Sequence, residues 1–136
     1  MIARAWILLG AVLVSAAVLT GCGAPPEQPA VDSAASAFAT AVIQRDGARA
    51  CALLTQNAAE AASGATDTPC AKAVLNVQES GADIHGVQVW GDTAQVKVGG
   101  DVVFLRRLAV GWRVAAAGCK PQSGQPGLPY TCDVES

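Results

Sequence analysis

The chain has little of the chemistry that marks common enzymes. Its 136 residues include one histidine, His85, and no Cys-x-x-Cys pair, so neither a clustered zinc site nor a Ser/His/Asp catalytic set is expected. Gly-x-Ser-x-Gly, phosphate-loop and dinucleotide-binding motifs are also missing. We therefore predict a protein that is not an enzyme and that uses no metal or cofactor.

Positive charge is scarce as well. The chain has nine Lys and Arg against eleven Asp and Glu, and one of the nine, Arg4, lies in the N-terminal segment described next. Without that segment eight basic residues face eleven acidic ones, a net charge of −3. This balance predicts no basic stripe for nucleic acid or for anionic lipid headgroups.

The N-terminus has the features of an exported protein. Residues 1–4 form a short positive start, and residues 5–19 are apolar apart from Ser15 and a few small residues. This run is shorter than the roughly twenty residues that a membrane-spanning helix needs. Residues 1–21 are therefore predicted to be a cleaved signal peptide.

The motif Leu19-Thr20-Gly21-Cys22 follows this apolar run directly. It resembles a lipobox, the processing site of bacterial lipoproteins. The resemblance implies that a diacylglyceryl group is attached to the Cys22 sulfur and that the chain is cleaved between Gly21 and Cys22. A thiol is a strong nucleophile near neutral pH, and two acyl chains hold a protein stably on a bilayer. The expected location is the extracytoplasmic face of the cell membrane.

Four cysteines remain once Cys22 is assigned to lipid: Cys51, Cys70, Cys119 and Cys132. An even number in an exported chain predicts two disulfides. Four cysteines allow three pairings. We favour Cys51 with Cys70 and Cys119 with Cys132, because each of these bridges closes a short local loop.

Residues 22–30 contain three prolines and are predicted to form an extended tether that precedes a single domain at residues 31–136. Helical spacing begins at Val31, and a second, short helix is predicted over residues 48–55. Residues 57–68 are alanine-rich but broken by Ser63-Gly64, which predicts mainly loop. Thr68-Pro69 then predicts the start of a third helix, with Thr68 as its N-cap.

After Gly81 the apolar spacing changes from helical to alternating. Four strands are predicted, over residues 84–90, 93–98, 102–108 and 112–117, and residues 118–132 are expected to form a loop. The predicted fold class is α+β, with N-terminal helices packed on one face of a curved, four-stranded antiparallel sheet.

Several short motifs follow one another in a defined order: Phe38-Ala39, Gln44-Arg45-Asp46-Gly47, Ala50-Cys51-Ala52-Leu53-Leu54, Gly91-Asp92-Thr93-Ala94, Phe104-Leu105, the run Gly111–Cys119, and Tyr130-Thr131-Cys132. Together with the lipobox they are similar to a class of small actinobacterial lipoproteins, over residues 22 to about 134. The order of elements resembles the NTF2-like (SnoaL-like) superfamily of cone-shaped α+β domains. The resemblance implies a shortened cone, because no strand pair is evident between the second and third helices.

The resemblance also implies a ligand pocket in the cone, for which His85, Arg106 and Tyr130 are the candidate lining residues. His85 is the candidate acid or base of a ketosteroid-isomerase-like enzyme, with a solvated histidine as the alternative. If residues 106 and 107 are both in a strand, their side chains point to opposite faces. Trp90 and Trp112, which flank predicted turns, are expected in the core, with a rim patch for a partner as the alternative.

We predict a non-catalytic binding or interaction module of the cell envelope, whose partner is a protein or a small apolar ligand. The alternative is a small-molecule or lipid carrier, or a ketosteroid-isomerase-like enzyme, that uses the cone pocket. An open pocket lined by His85 and an arginine would favour this alternative. A sheet face filled by Val96, Val98, Phe104 and Val114 would instead favour interaction through the outer surface.

Overall fold

The computed structural model describes residues 26–77, 81–122 and 129–135. The predicted signal peptide and lipobox, including Gly21 and Cys22, lie outside the described residues. Helices come first in the described chain and strands follow: α1 (Gln28–Ile43), α2 (Gly47–Ala52), α3 (Gln56–Thr66), α4 (Cys70–Ala73), a 3-10 turn (Val74–Asn76), β1 (Ile84–Trp90), β2 (Thr93–Val98), β3 (Asp101–Leu108), β4 (Gly111–Cys119) and β5 (Val134–Glu135). The predicted α+β class is confirmed.

The strands form one open antiparallel sheet in the order β1-β2-β3-β4-β5. All four predicted strands are present, β1 and β2 with the predicted bounds. The prediction missed β5, in which Val134 pairs with Ala117 and Glu135 with Ala116. Two residues are too few to show an alternating pattern, so a strand of this length is not visible in the sequence.

The helices cover one face of the sheet and form the main core with it. Val96, Val98, Leu105 and Val114 point from the strands into this core, and Phe38 of α1 meets them from the other side; all five are fully buried. Burial of one such side chain stabilises the fold by about 1.5–3 kcal/mol. The helix-facing side of the sheet is therefore filled by its own side chains.

Helix α1 begins at Gln28, inside the segment that was predicted to be an extended tether. Pro29 lies in its first turn, where a missing N–H breaks no helical hydrogen bond. Glu27, the N-cap residue, accepts a hydrogen bond from Trp112 Nε1 at 3.0 Å and lies 3.3 Å from Arg107. The tether prediction was wrong for its last residues, because these contacts join them to the sheet.

Helix α3 replaces the loop that was predicted over residues 57–68. Thr55 is its N-cap and accepts a hydrogen bond from the backbone N–H of Ala58 at 3.2 Å. Ala58 and Ala62 are buried, and Gly64 has open space around it. The high helix propensity of alanine and the cap together outweigh the Ser63-Gly64 interruption. Thr68 was predicted as the N-cap of the helix that follows, but the N-cap of α4 is Pro69.

The two predicted disulfides are present. One joins Cys51 of α2 to Cys70 of α4, and the other joins Cys119 of β4 to Cys132, just before β5. Beside the first bridge, a side chain on Gly47 would collide with the Ala71 carbonyl, so only glycine allows α2 and α4 to approach this closely.

Candidate functional site

The sheet face away from the helices, called the outer face here, is the less covered side of the molecule. Residues that lie directly opposite each other on neighbouring strands share a face, and Trp90 lies opposite Thr93, which lies opposite Arg106. Arg106 in turn lies opposite Arg113. The same alternation assigns these residues to the outer face: Gln88, Trp90, Thr93, Gln95, Lys97, Val102, Phe104, Arg106, Leu108, Arg113 and Ala116.

The three predicted pocket residues do not come together. His85 is exposed at the irregularity between Ile84 and Gly86 near the start of β1, and its Nδ1 lies 3.3 Å from the Asp83 carbonyl oxygen. Arg106 is exposed near the opposite end of the sheet, and Tyr130 lies in the segment after β4. The outer face carries Arg106, whereas Arg107 lies on the helix-facing side.

The first candidate binding site is a groove of about 340 Å³ on the outer face, named here the aromatic groove. Phe104 and Tyr130 meet edge to face there, with ring centroids 5.3 Å apart, a favourable aromatic geometry. Its lining residues come from β3, β4, β5 and the segment between the last two strands: Phe104, Ala115, Ala116, Pro129, Tyr130, Cys132 and Glu135.

Two features hold the wall of the aromatic groove against the sheet. The disulfide ties Cys132 to the fully buried Cys119. Lys120 and Thr131 exchange two backbone hydrogen bonds, of 2.9 and 3.0 Å. Val102 and Ala116 complete a small second core beneath these contacts. The groove therefore offers a supported apolar surface with a phenol at its wall and a carboxylate, Glu135, at its edge.

A second cavity, of about 500 Å³, lies between side chains of β3 and the start of α3. Arg106 and Leu108 line it from the sheet, and Thr55, Gln56 and Asn57 line it from the helix. The start of α3 is joined to the neighbouring strand, because the Thr55 N–H donates to the carbonyl of Val114 on β4 at 2.8 Å. This cavity is more polar than the aromatic groove and presents a guanidinium and two amides.

Neither cavity is lined by a nucleophile paired with a general base. Over residues 26–77, 81–122 and 129–135, no group of three or more His, Cys, Asp or Glu side chains is placed to hold a metal ion. In the same part of the chain, no helix is both long and apolar enough to cross a membrane. The aromatic groove offers an apolar surface, whereas the second cavity offers a guanidinium and two amides.

Comparison with known proteins identified no relative: no family model, no curated protein and no solved structure matches the chain significantly. The resemblance to NTF2-like lipoproteins therefore stays a prediction from the sequence motifs.

The sequence did not predict several residues that are exposed on the surface or that join α1 to the sheet. Glu27 was assigned to the tether, and Leu108 and Val110 were not singled out. Trp112 is buried as expected, but Trp90 is 56% exposed. A usable signal was present at residues 108–110, because Leu-Ala-Val is an apolar composition for a turn, where Gly, Asn, Asp, Ser or Pro is usual.

Proposed function

We propose that this protein is a lipoprotein of the cell envelope, anchored through Cys22 to the extracytoplasmic face of the cell membrane, whose domain binds a partner without catalysing a reaction. The lipobox-like motif at residues 19–22 supports the anchor. The two disulfides support an oxidising compartment outside the cytoplasm.

The aromatic groove is the observation that carries the binding role. Val96, Val98 and Val114 fill the helix-facing side of the sheet, so a shortened NTF2-like cone has no free interior at these positions. Phe104 points the other way and forms the groove with Tyr130. Its occupant is an apolar group, from a small apolar ligand or from an apolar side chain of an envelope protein.

Titration of the full chain with an environment-sensitive apolar dye tests this proposal. We expect Tyr130→Ser to weaken dye binding by about tenfold, since loss of an aromatic contact costs ~1 kcal/mol beyond its buried area. Gln88→Ser, an exposed change elsewhere on the outer face, is the matched control and should leave binding unchanged. Equal dye binding by wild type and Tyr130→Ser would show that the groove is not the binding site.

A further inference from the structure

Two hairpin turns and the start of α1 lie together at one end of the sheet. Trp90 and Thr93 flank the β1–β2 turn, and the backbone N–H of Arg107 donates to the Asp92 carbonyl of that turn at 2.7 Å. Leu108 and Gly111 flank the β3–β4 turn. We call this region, with Glu27 of the α1 N-cap, the hairpin end.

Apolar side chains are concentrated at the hairpin end. The described residues expose four large apolar side chains, and three of them lie here: Trp90 at 56%, Leu108 at 42% and Val110 at 71%. The fourth, Ile43, ends α1, and a helix of 16 residues is about 24 Å long. Ile43 is thus well separated from the hairpin end and offers a matched control.

The hairpin end also gathers positive charge that the composition of the chain does not reveal. Arg106, Arg107 and Arg113 lie on the last part of β3 and the first part of β4, whereas the acidic groups there are Glu27 and Asp92. Glu27 already pairs with Arg107 at 3.3 Å. Folding therefore produces a local excess of positive charge on a chain with a sequence pI of about 5.2.

The distance along the chain from Cys22 to the hairpin end is short. Residues 23–25 are all that separate Cys22 from Pro26, the first described residue. An extended chain spans at most about 3.6 Å per residue, so the Cα atoms of Cys22 and Pro26 are within about 14 Å of each other. Glu27 is held on the sheet by Trp112 and Arg107. A lipid on Cys22 would therefore keep the hairpin end, rather than the other end of the sheet, close to the bilayer.

We propose that the hairpin end is a membrane-contacting site, with Trp90, Leu108 and Val110 in the interfacial layer of the bilayer and the arginines against lipid phosphates. The inference rests on the proposed anchor at Cys22. Trp is suited to this layer because its ring is apolar and its indole N–H is polar, and arginines are attracted to anionic headgroups. The acyl chains attach the protein, and the hairpin end sets its orientation, with the strands steep to the membrane and the aromatic groove opening sideways.

Quenching of tryptophan by brominated lipid tests this proposal on the full chain, purified from membranes and reconstituted into vesicles of phosphatidylcholine with a minority of phosphatidylglycerol. Cleavage after Gly21 removes Trp6 and leaves Trp90 and Trp112. With bromine placed near the glycerol, we expect loss of most of the Trp90 emission, defined as the difference between wild type and Trp90→Phe. Val110→Asp should reduce this quenching, whereas Ile43→Asp should not.

Flotation and mass spectrometry of the same samples separate the two ways of failing. If the protein carries lipid and floats with the vesicles but the Trp90 emission is not quenched, or if Ile43→Asp reduces quenching as much as Val110→Asp, the membrane-contacting site is overturned and the anchor stands. If the protein carries no lipid and does not float, the anchor is overturned and this proposal falls with it.

Discussion

At the level of single residues, Glu27 joins the start of α1 to the sheet. Its two carboxylate oxygens have separate partners: one accepts from Trp112 Nε1, and the other lies near Arg107. Trp112 is only 5% exposed, whereas the side chain of Arg107 is 47% exposed. The two contacts therefore differ in strength, because solvent weakens an exposed ion pair but not a hydrogen bond to a buried donor.

We expect Glu27→Ala to lower the free energy of unfolding by about 1–3 kcal/mol, because the buried indole N–H loses its acceptor. Glu27→Gln keeps an acceptor oxygen and loses only the exposed ion pair, which contributes at most about 1 kcal/mol. Urea unfolding of both variants measures the difference. Equal destabilisation by the two changes would mean that the hydrogen bond to Trp112 does not hold α1 in place.

Trp90 and Trp112 show how much the alternation of a strand reveals about one residue. Trp112 is in phase with the buried Val114, and Trp90 is out of phase with Val87 and Val89, which pack against the core. The phase alone would have placed Trp90 on the outer face. Predicting both tryptophans in the core gave too much weight to residue type and too little to position.

Among the elements, the segment around Tyr130 depends most on a covalent link. Pro129 and Tyr130 are exposed or half-buried, and β5 contributes only two residues to the sheet. The Cys119–Cys132 bridge compensates by holding this segment beside β4. We therefore expect the shape of the aromatic groove to depend on this bridge.

Replacing both Cys119 and Cys132 by Ala is expected to lower the free energy of unfolding by about 3 kcal/mol in the chain-entropy model and to abolish apolar dye binding. The double change at Cys51 and Cys70 is the control. It removes a bridge of similar loop length, with a separation of 19 residues against 13. That bridge joins α2 to α4 rather than β4 to the segment around Tyr130. Thermal unfolding and dye titration measure both effects, and equal loss of dye binding in the two variants would contradict the prediction.

The elements themselves were largely predictable, and α3 shows where prediction stopped. The strands β1 and β2 follow from period-two alternation between glycine-containing turns, a signal that few other structures produce. In α3 the alanine content and the Ser63-Gly64 pair point in opposite directions. Packing of Ala58 and Ala62 into the core adds to the alanine propensity and the Thr55 cap, and this packing is a property of the folded chain that the sequence pattern does not show.

For the molecule as a whole, the proposed lipid attachment at Cys22 would determine where the domain is held. We expect Cys22→Ala to move the protein from the membrane fraction to the soluble fraction, because contact through the hairpin end alone is weaker than two acyl chains. The near-ultraviolet circular dichroism of the domain should not change, since the contacts that form the core are made by residues 31–134. Membrane retention of the Cys22→Ala variant after a salt wash would contradict the lipid anchor.

The sequence by itself determined the α+β class, the bounds of β1 and β2 and the presence of two disulfides, and it predicted the lipidation motif. These features depend on residues a few positions apart or on simple counts. Only the tertiary structure brought Glu27 to Trp112, 85 residues away, separated His85 from Arg106 and Tyr130, and gathered three arginines at the hairpin end. Such contacts join distant segments, and their geometry depends on how the whole chain packs rather than on any local pattern.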